Sequence, residues 1–180
     1  MTLHPQFQNI GIIAKQGEPA NTRLAVARLA RYLRQQGPRV IFDPFAAALI
    51  GAAEPETLSP GGMGRQCDLV ISVVAEGIIL GAARALASSG VPLLGINLGR
   101  LGFLADVSLD TIETHLEPIL AGEFDAEERF LLSARVNGNP PVLALNDVVI
   151  HKWNIARMIE LETSIDGVFV NRQRGDGIIV

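Results

Sequence analysis

Apolar and polar positions along this chain fall into two regimes. Up to about residue 124, short β-branched runs alternate with stretches of helical periodicity. Residues 9–15 (NIGIIAK), 39–43, 68–74 (DLVISVV) and 92–97 are apolar runs of strand length, predicted as buried strands. After the first run, Val26, Leu29, Ala30 and Leu33 recur at i, i+3, i+4 and i+7, the stripe of an amphipathic helix. Asn21 or Thr22 supplies its N-cap, and Gly37-Pro38 ends it. Further helices are predicted over 45–51, 77–89 and 108–121. The last has Ser108 as its cap, a stripe of Leu109, Ile112, Leu116, Ile119 and Leu120, and a kink at Pro118. The Pro- and Gly-rich stretch 55–65, with Gly61-Gly62-Met63-Gly64 inside it, reads as a flexible connecting loop. No Lys-Ser/Thr follows those glycines, so they are not a P-loop. Strand alternating with helix predicts an α/β, Rossmann-like doubly wound sheet.

From residue 129 onward the pattern contains strands and no convincing helix. Residues 130–136 and 142–151 are predicted to pair across Asn137-Gly138-Asn139. Residues 159–165 and 168–172 are predicted to pair across Asp166-Gly167, and 177–180 begins another strand. The boundary between the regimes falls near 124–127. A terminal run of Ile178, Ile179 and Val180 is an apolar strand edge. This predicts a fragment of a longer fold, or one that relies on a partner.

Composition narrows the chemistry. The 180 residues are 48% apolar with few aromatics, which suits a Val/Ile/Leu/Ala-rich parallel sheet. A net charge of −4 gives no basic stripe for nucleic acid, although backbone N–H groups can still hold phosphate. Lys15 and Lys152 are the only lysines, so a cationic phosphate contact falls mostly to arginine. The lone Cys67 excludes an intrachain disulfide and a cysteine-rich zinc cage and fits a reducing, cytoplasmic setting. The first eight residues lack the basic and apolar regions of a secretory signal, and no apolar stretch is long enough to span a bilayer.

Three segments in order carry a resemblance: DLVISVVAEGIILGAARAL at 68–86, GINLGRLGFLADV at 95–107, and ALNDVVIHK with ARMIELETSIDGVFVNRQRGDGIIV between 144 and 180. Together they resemble the NAD kinases over nearly the whole chain, more weakly before residue 66. The resemblance implies an N-terminal α/β nucleotide-binding domain over 1–124 and the truncated start of a β-rich NAD-binding domain over 125–180. It implies transfer of phosphate from ATP to the 2′-hydroxyl of the NAD adenosine ribose, with Mg²⁺ or another divalent metal, in a homodimer or homotetramer.

The resemblance also implies site residues. In the family a Gly-Gly-Asp-Gly loop joins the third strand to its helix, the glycines letting phosphate approach backbone and the aspartate acting on the ribose hydroxyl. Here those positions read Val74, Ala75, Glu76 and Gly77, and Ile78 stands where the family often has Thr or Asn. Only Gly77 is retained in kind. Glu76 keeps a carboxylate one methylene further out and is the candidate catalytic residue; its other reading is a helix-start carboxylate favoured by the dipole. Among Gly95, Gly99 and Gly102, the spacing is not a dinucleotide fingerprint. Phe103 is placed near adenine by the resemblance, or in the core by its apolar character. Arg100 can meet phosphate or stay exposed. Asn146-Asp147 matches the family's Asn-Glu/Asp pair, and an amide beside a carboxylate suits base edges and ribose hydroxyls. Arg174 and Asp176 match an Arg-x-Asp-Gly stretch that holds the nicotinamide-ribose half of NAD; a turn with a local salt bridge is the alternative. His151 reads as a surface histidine. The altered loop opens a second possibility, an NAD-kinase-like chain that binds nucleotide or a partner without turnover. A diacylglycerol-kinase or phosphofructokinase relationship is disfavoured by the Asn146-Asp147 and 174–177 matches.

Overall fold

The computed structural model describes residues 6–14, 19–51, 55–73, 76–98, 107–108, 111–153 and 157–180. Two compact units divide the chain, Met1–Arg129 and Phe130–Val180.

In the first unit, β1 (Asn9–Ala14), β2 (Arg39–Phe42), β3 (Leu69–Val73), β4 (Leu93–Asn97) and β5 (Val107–Ser108) form one sheet in the order β2-β1-β3-β4-β5. Every pairing is parallel. The helices are α1 (Pro19–Gln36), α2 (Pro44–Ile50), α3 (Pro60–Met63), α4 (Glu76–Leu86) and α5 (Ile112–Ala121). One face of the sheet, with Ile10, Ile12, Ile71, Val73 and Ile96, packs against Val26, Leu29 and Leu33 of α1, Ala46 of α2 and Ile112, Leu116 and Leu120 of α5. The other face, with Ile13, Ile41 and Val70, packs against Met63 of α3 and Ala82 and Leu86 of α4. A sheet buried on both faces is why these strands read as unbroken apolar runs. Asp68 pins the amino edge: its Oδ2 accepts from the N–H groups of Gln8 and Asn9, each at 2.8 Å. Arg28 of α1 ties α5 down through Glu113, Nε to Oε1 at 2.7 Å.

Several predicted boundaries change. The first helix begins at Pro19, so Asn21 and Thr22 lie inside it rather than capping it. Proline suits a first helical turn because its missing N–H is not needed there. The 55–65 stretch is not merely a loop. Ser59 caps α3, its Oγ accepting from the Gly62 N–H at 3.2 Å, Pro60 starts the helix, and Met63 is fully buried. Gly11 makes room for it, since a Cβ there would meet Met63 Sδ at 2.8 Å. Ser108 belongs to β5 instead of capping a helix; α5 starts at Ile112, with Thr111 before it making no side-chain cap. Leu109 lies outside the described residues.

The second unit is built of two-stranded antiparallel ribbons: β6 (Leu132–Ala134) with β7 (Val142–Ala144), β8 (Val149–His151) with β11 (Gly177–Ile179), and β9 (Ile159–Ile165) with β10 (Val168–Gly175). The predicted 142–151 strand is thus two strands, broken at residues 145–148, and only its first part pairs with β6. Both short hairpin turns form as predicted. Asp166 and Gly167, with φ of 51° and 80°, are the left-handed pair of a two-residue hairpin, whereas Asn137 and Gly138, with φ of 49° and 76°, form a left-handed turn inside the longer connection from Ala134 to Val142. Among the described residues, no helix is long and apolar enough to cross a membrane.

Candidate nucleotide site

The sheet order places a reversal of winding between β1 and β3. From β1 the chain moves outward to β2, then returns past β1 to β3 and continues to β4 and β5. In open parallel sheets the crevice beyond the carboxyl ends at such a reversal is where ligands bind. Buried polar side chains gather on that edge. Among the described residues they are Thr22 in the first turns of α1, Asp43 just after β2, Ser72 next to last in β3 and Asn97 at the end of β4.

Asp43 is the most constrained of these. Its Oδ1 accepts from the Ala14 N–H at 3.2 Å and the Ala46 N–H at 2.9 Å, and its own N–H donates to the Ile12 carbonyl at 2.9 Å. It therefore caps α2 and holds the exit of β1 at once. Burial raises its carboxyl above the usual range, partly offset by the N–H groups of Ala46, Ala14 and Phe45. Ser72 carries an unpartnered buried hydroxyl. It follows Val70 by two residues, so it shares the sheet face that α4 covers.

Two residues separate β3 from α4, whose first residues are Glu76 and Gly77. The first-turn N–H groups of a helix have no intrahelical partner and carry its positive end, the ordinary condition for anion binding. Val74, Ala75, Gly99, Arg100, Gly102 and Phe103 lie outside the described residues, as do the side chains of Glu76 and Ile78. An open groove of about 440 Å³ between α1 and α2, lined by Ala27, Ala30, Arg31, Arg34, Gln35 and Ile50, lies along the C-terminal half of α1 and belongs to a different region.

In the second unit Asn146 and Asp147 are exposed, just before β8. The ladder continues one step past the strands there, with Val148 and Val180 exchanging backbone hydrogen bonds of 2.8 and 3.1 Å. Asp176 lies at the opposite end. Its carbonyl accepts from the Lys152 N–H at 2.8 Å, and its carboxylate meets Lys152 Nζ at 2.7 Å. Asp147 and Asp176 are thus on the order of 15 Å apart along the ribbon at about 3.3 Å per residue. They cannot share one ligand atom, but they can hold two parts of an extended ligand. Arg174 on β10 faces Glu160 of β9 at 3.7 Å. Among the described residues, no group of three His, Cys, Asp or Glu side chains gathers as a metal cage.

The N-terminal domain of ATP-NAD kinases matches residues 10–124. The chain belongs to the NAD kinase family. It is 45% identical over 179 residues to the NAD kinase of Chromohalobacter salexigens, covering 97% of this chain and 60% of that protein. To the NAD kinase of Delftia acidovorans it is 39% identical over 184 residues, covering 97% and 62%. The chain therefore spans about three fifths of the length of these NAD kinases. Its fold is similar to that of a yeast NADH kinase solved with NADH, with a TM-score of 0.82 at 23% identity, over 98% of this chain and 57% of that one. The expected architecture, a doubly wound α/β part followed by a β-rich part, is the family's fold.

Sequence reasoning missed Asp43 and Ser72. Asp43 had a legible cue, a strand followed directly by Asp-Pro, the cap and first residue of a helix. Ser72 had none, because a serine inside an apolar strand does not reveal whether its hydroxyl finds a partner.

Proposed function

We propose that this chain is the nucleotide-binding part of an NAD kinase, phosphorylating NAD to NADP with ATP. The observation that carries the reading is the start of α4 two residues after β3, at the carboxyl edge of the sheet where the winding reverses, in a chain that matches the family over residues 10–124. Residues 1–124 form the nucleotide-binding domain and 125–180 begin the β-rich NAD-binding domain. The N–H groups at the start of α4, including that of Gly77, receive phosphate. Glu76 takes the proton of the ribose 2′-hydroxyl as its oxygen forms a bond to the γ-phosphorus of ATP and the bond from that phosphorus to the ADP oxygen breaks. Phe103 lines the adenine, Asn146 and Asp147 hold hydroxyl and base edges, and Arg174 and Asp176 hold the nicotinamide-ribose half. Mg²⁺ or another divalent ion bound with the triphosphate would supply charge neutralisation there. The protein acts in the cytoplasm as a homo-oligomer, a dimer or tetramer.

A second reading is favoured by Val74, Ala75 and Glu76: nucleotide binding without useful turnover. Side chains stand where phosphate meets bare backbone in the family, and the carboxylate is displaced by roughly one methylene. A misplacement of about 1 Å can cost ~100-fold in rate. A coupled assay of NADP formation by the pure chain separates the two. Replacing Val74, Ala75 and Glu76 by Gly, Gly and Asp is expected to raise turnover by on the order of 100-fold. Unchanged turnover would show that the loop is not the limiting defect.

A further inference from the structure

Asn137 is followed by glycine, and the fold leaves the reactive groups of both residues free. The pair sits in the connection from β6 to β7, with φ of 49° and 76°. The turn is closed by the Asn139 N–H, which donates to the Val136 carbonyl at 2.9 Å. Residues 136–140 are exposed throughout. Among the described residues, the Gly138 N–H and the Asn137 side-chain amide enter no hydrogen bond. No atom beyond the chain neighbours lies within 4 Å of the place a Cβ would take on Gly138, so its surroundings are uncrowded. Backbone N–H groups in folded chains are mostly paired, and pairing keeps the nitrogen from other chemistry. Here nothing does.

A free amide nitrogen beside a free side-chain amide has the two ends of an intramolecular acyl transfer. We propose that Asn137-Gly138 is a site of spontaneous deamidation that remodels the connection between β6 and β7. The Gly138 nitrogen gives its proton to solvent and bonds to the Asn137 Cγ. The Cγ–Nδ2 bond breaks, and ammonia leaves with a proton from solvent. Water then opens the five-membered imide at either carbonyl, giving aspartate or isoaspartate. Glycine permits the approach because it carries no Cβ. Nearby residues mark the limits of the reaction. Asn139 precedes Pro140, whose nitrogen has no hydrogen and cannot attack. Asp166-Gly167 has the same left-handed backbone, but its side chain is a carboxyl group with no ammonia to release. Isoaspartate routes the backbone through Cβ and Cγ, one methylene longer, and either product adds a negative charge to a chain of net charge −4. β6 and β7 are held by three residue pairs, the last of them Ala134 with Val142. Two-stranded pairing is marginal in water. A connection altered in length and charge therefore loosens the ribbon.

The experiment ages the folded chain in mildly alkaline buffer and maps its peptides by mass spectrometry. Asn137→Asp, Asn139→Asp and the natural chain unfolded in guanidinium chloride are aged beside it. The peptide holding Asn137 is expected to gain the mass of amide-to-acid exchange and to split into two species of equal mass, aspartate and isoaspartate. Asn137→Asp should abolish the gain, and Asn139→Asp should leave it intact. Both substitutions keep side-chain size and turn preference, so circular dichroism of the variants should match the natural protein. In the converted protein the NMR amide signals of Ala134 and Val142 are expected to shift from their fresh positions. No conversion in the folded protein, whether or not the unfolded chain converts, overturns the proposal, because the turn then protects the pair. A gain that persists in Asn137→Asp assigns the reaction to another amide and overturns it too. A product of aspartate alone refutes the imide route, and unchanged signals of Ala134 and Val142 refute the effect on the ribbon. Each of these failures leaves the nucleotide reading standing.

Discussion

At Asp43 one carboxylate oxygen holds two chain segments, the end of β1 and the start of α2. Removing it by Asp43→Ala abolishes a helix cap and orphans the buried Ala14 N–H, at a combined cost of about 2–3 kcal/mol. Asp43→Asn keeps the acceptor and should cost under about 1 kcal/mol by the same reasoning. Urea denaturation of both variants checks the difference. The pH dependence has a definite sign. Burial holds the folded carboxyl above its ordinary value of 3.8, so its contribution is full below that value and is lost as pH rises through the folded pKa. The advantage of the natural protein over Asp43→Asn should therefore shrink as pH climbs from about 4 upward. Glu113 has the opposite sign. Its pKa is lowered chiefly by the hydrogen bond from Arg28, so its contribution is present above the ordinary value and fades as pH falls. Cys67 is buried in the smaller core cluster, and burial pushes its thiol up to about 11, the behaviour of a packing residue rather than a nucleophile.

At the scale of elements, local chemistry shows where its reach ended. Asn137-Gly138 and Asp166-Gly167 announced their turns because Asn, Asp and Gly tolerate the left-handed backbone that a tight reversal needs. The stripe of Val26, Leu29, Ala30 and Leu33 announced the buried face of α1. By contrast, α3 was hidden among glycines, and its helical turn depends on Met63 finding a socket over Gly11, which is distant in sequence. The split of the 142–151 run into β7 and β8 was hidden for the same reason, since its halves take different partners. The β8–β11 ribbon carries a prediction of its own. A Cβ at Gly177 would overlap the Ile150 carbonyl oxygen and the His151 Cα. Both are backbone or next to it, so the strands must part. Gly177→Ala is expected to cost about 1–3 kcal/mol and to displace Asp176 from Lys152. Loss of amide protection at Ile150 and Lys152 by NMR would register it; unchanged protection would refute the close approach.

For the whole molecule, the two units differ in how much they bury. The first holds every fully buried side chain among the described residues, in two clusters on the faces of one five-stranded sheet. The second consists of two-stranded ribbons with Phe130, Val142, Val149, Ile165, Val168 and Phe169 exposed. Two-stranded ribbons are marginally stable in water, and local opening follows burial. Hydrogen exchange should show slow amides in β1 and β3 and amides in β6–β7 and β9–β10 exchanging faster by at least about tenfold. Comparable protection in both units would contradict that ordering.

By itself the sequence determined the α/β class, the β-rich second part, the hairpin turns and the kinship with NAD kinases, because each rests on local periodicity, turn chemistry or runs of matching residues. It also located the departure at Val74, Ala75 and Glu76. The strand order, the winding reversal, the clamp at Asp43, the orphaned hydroxyl of Ser72 and the pairing of Lys152 with Asp176 were decided only by tertiary structure. The physical reason is common to all of them: a hydrogen bond, a socket or an ion pair between residues far apart in the chain leaves no periodic trace in either segment.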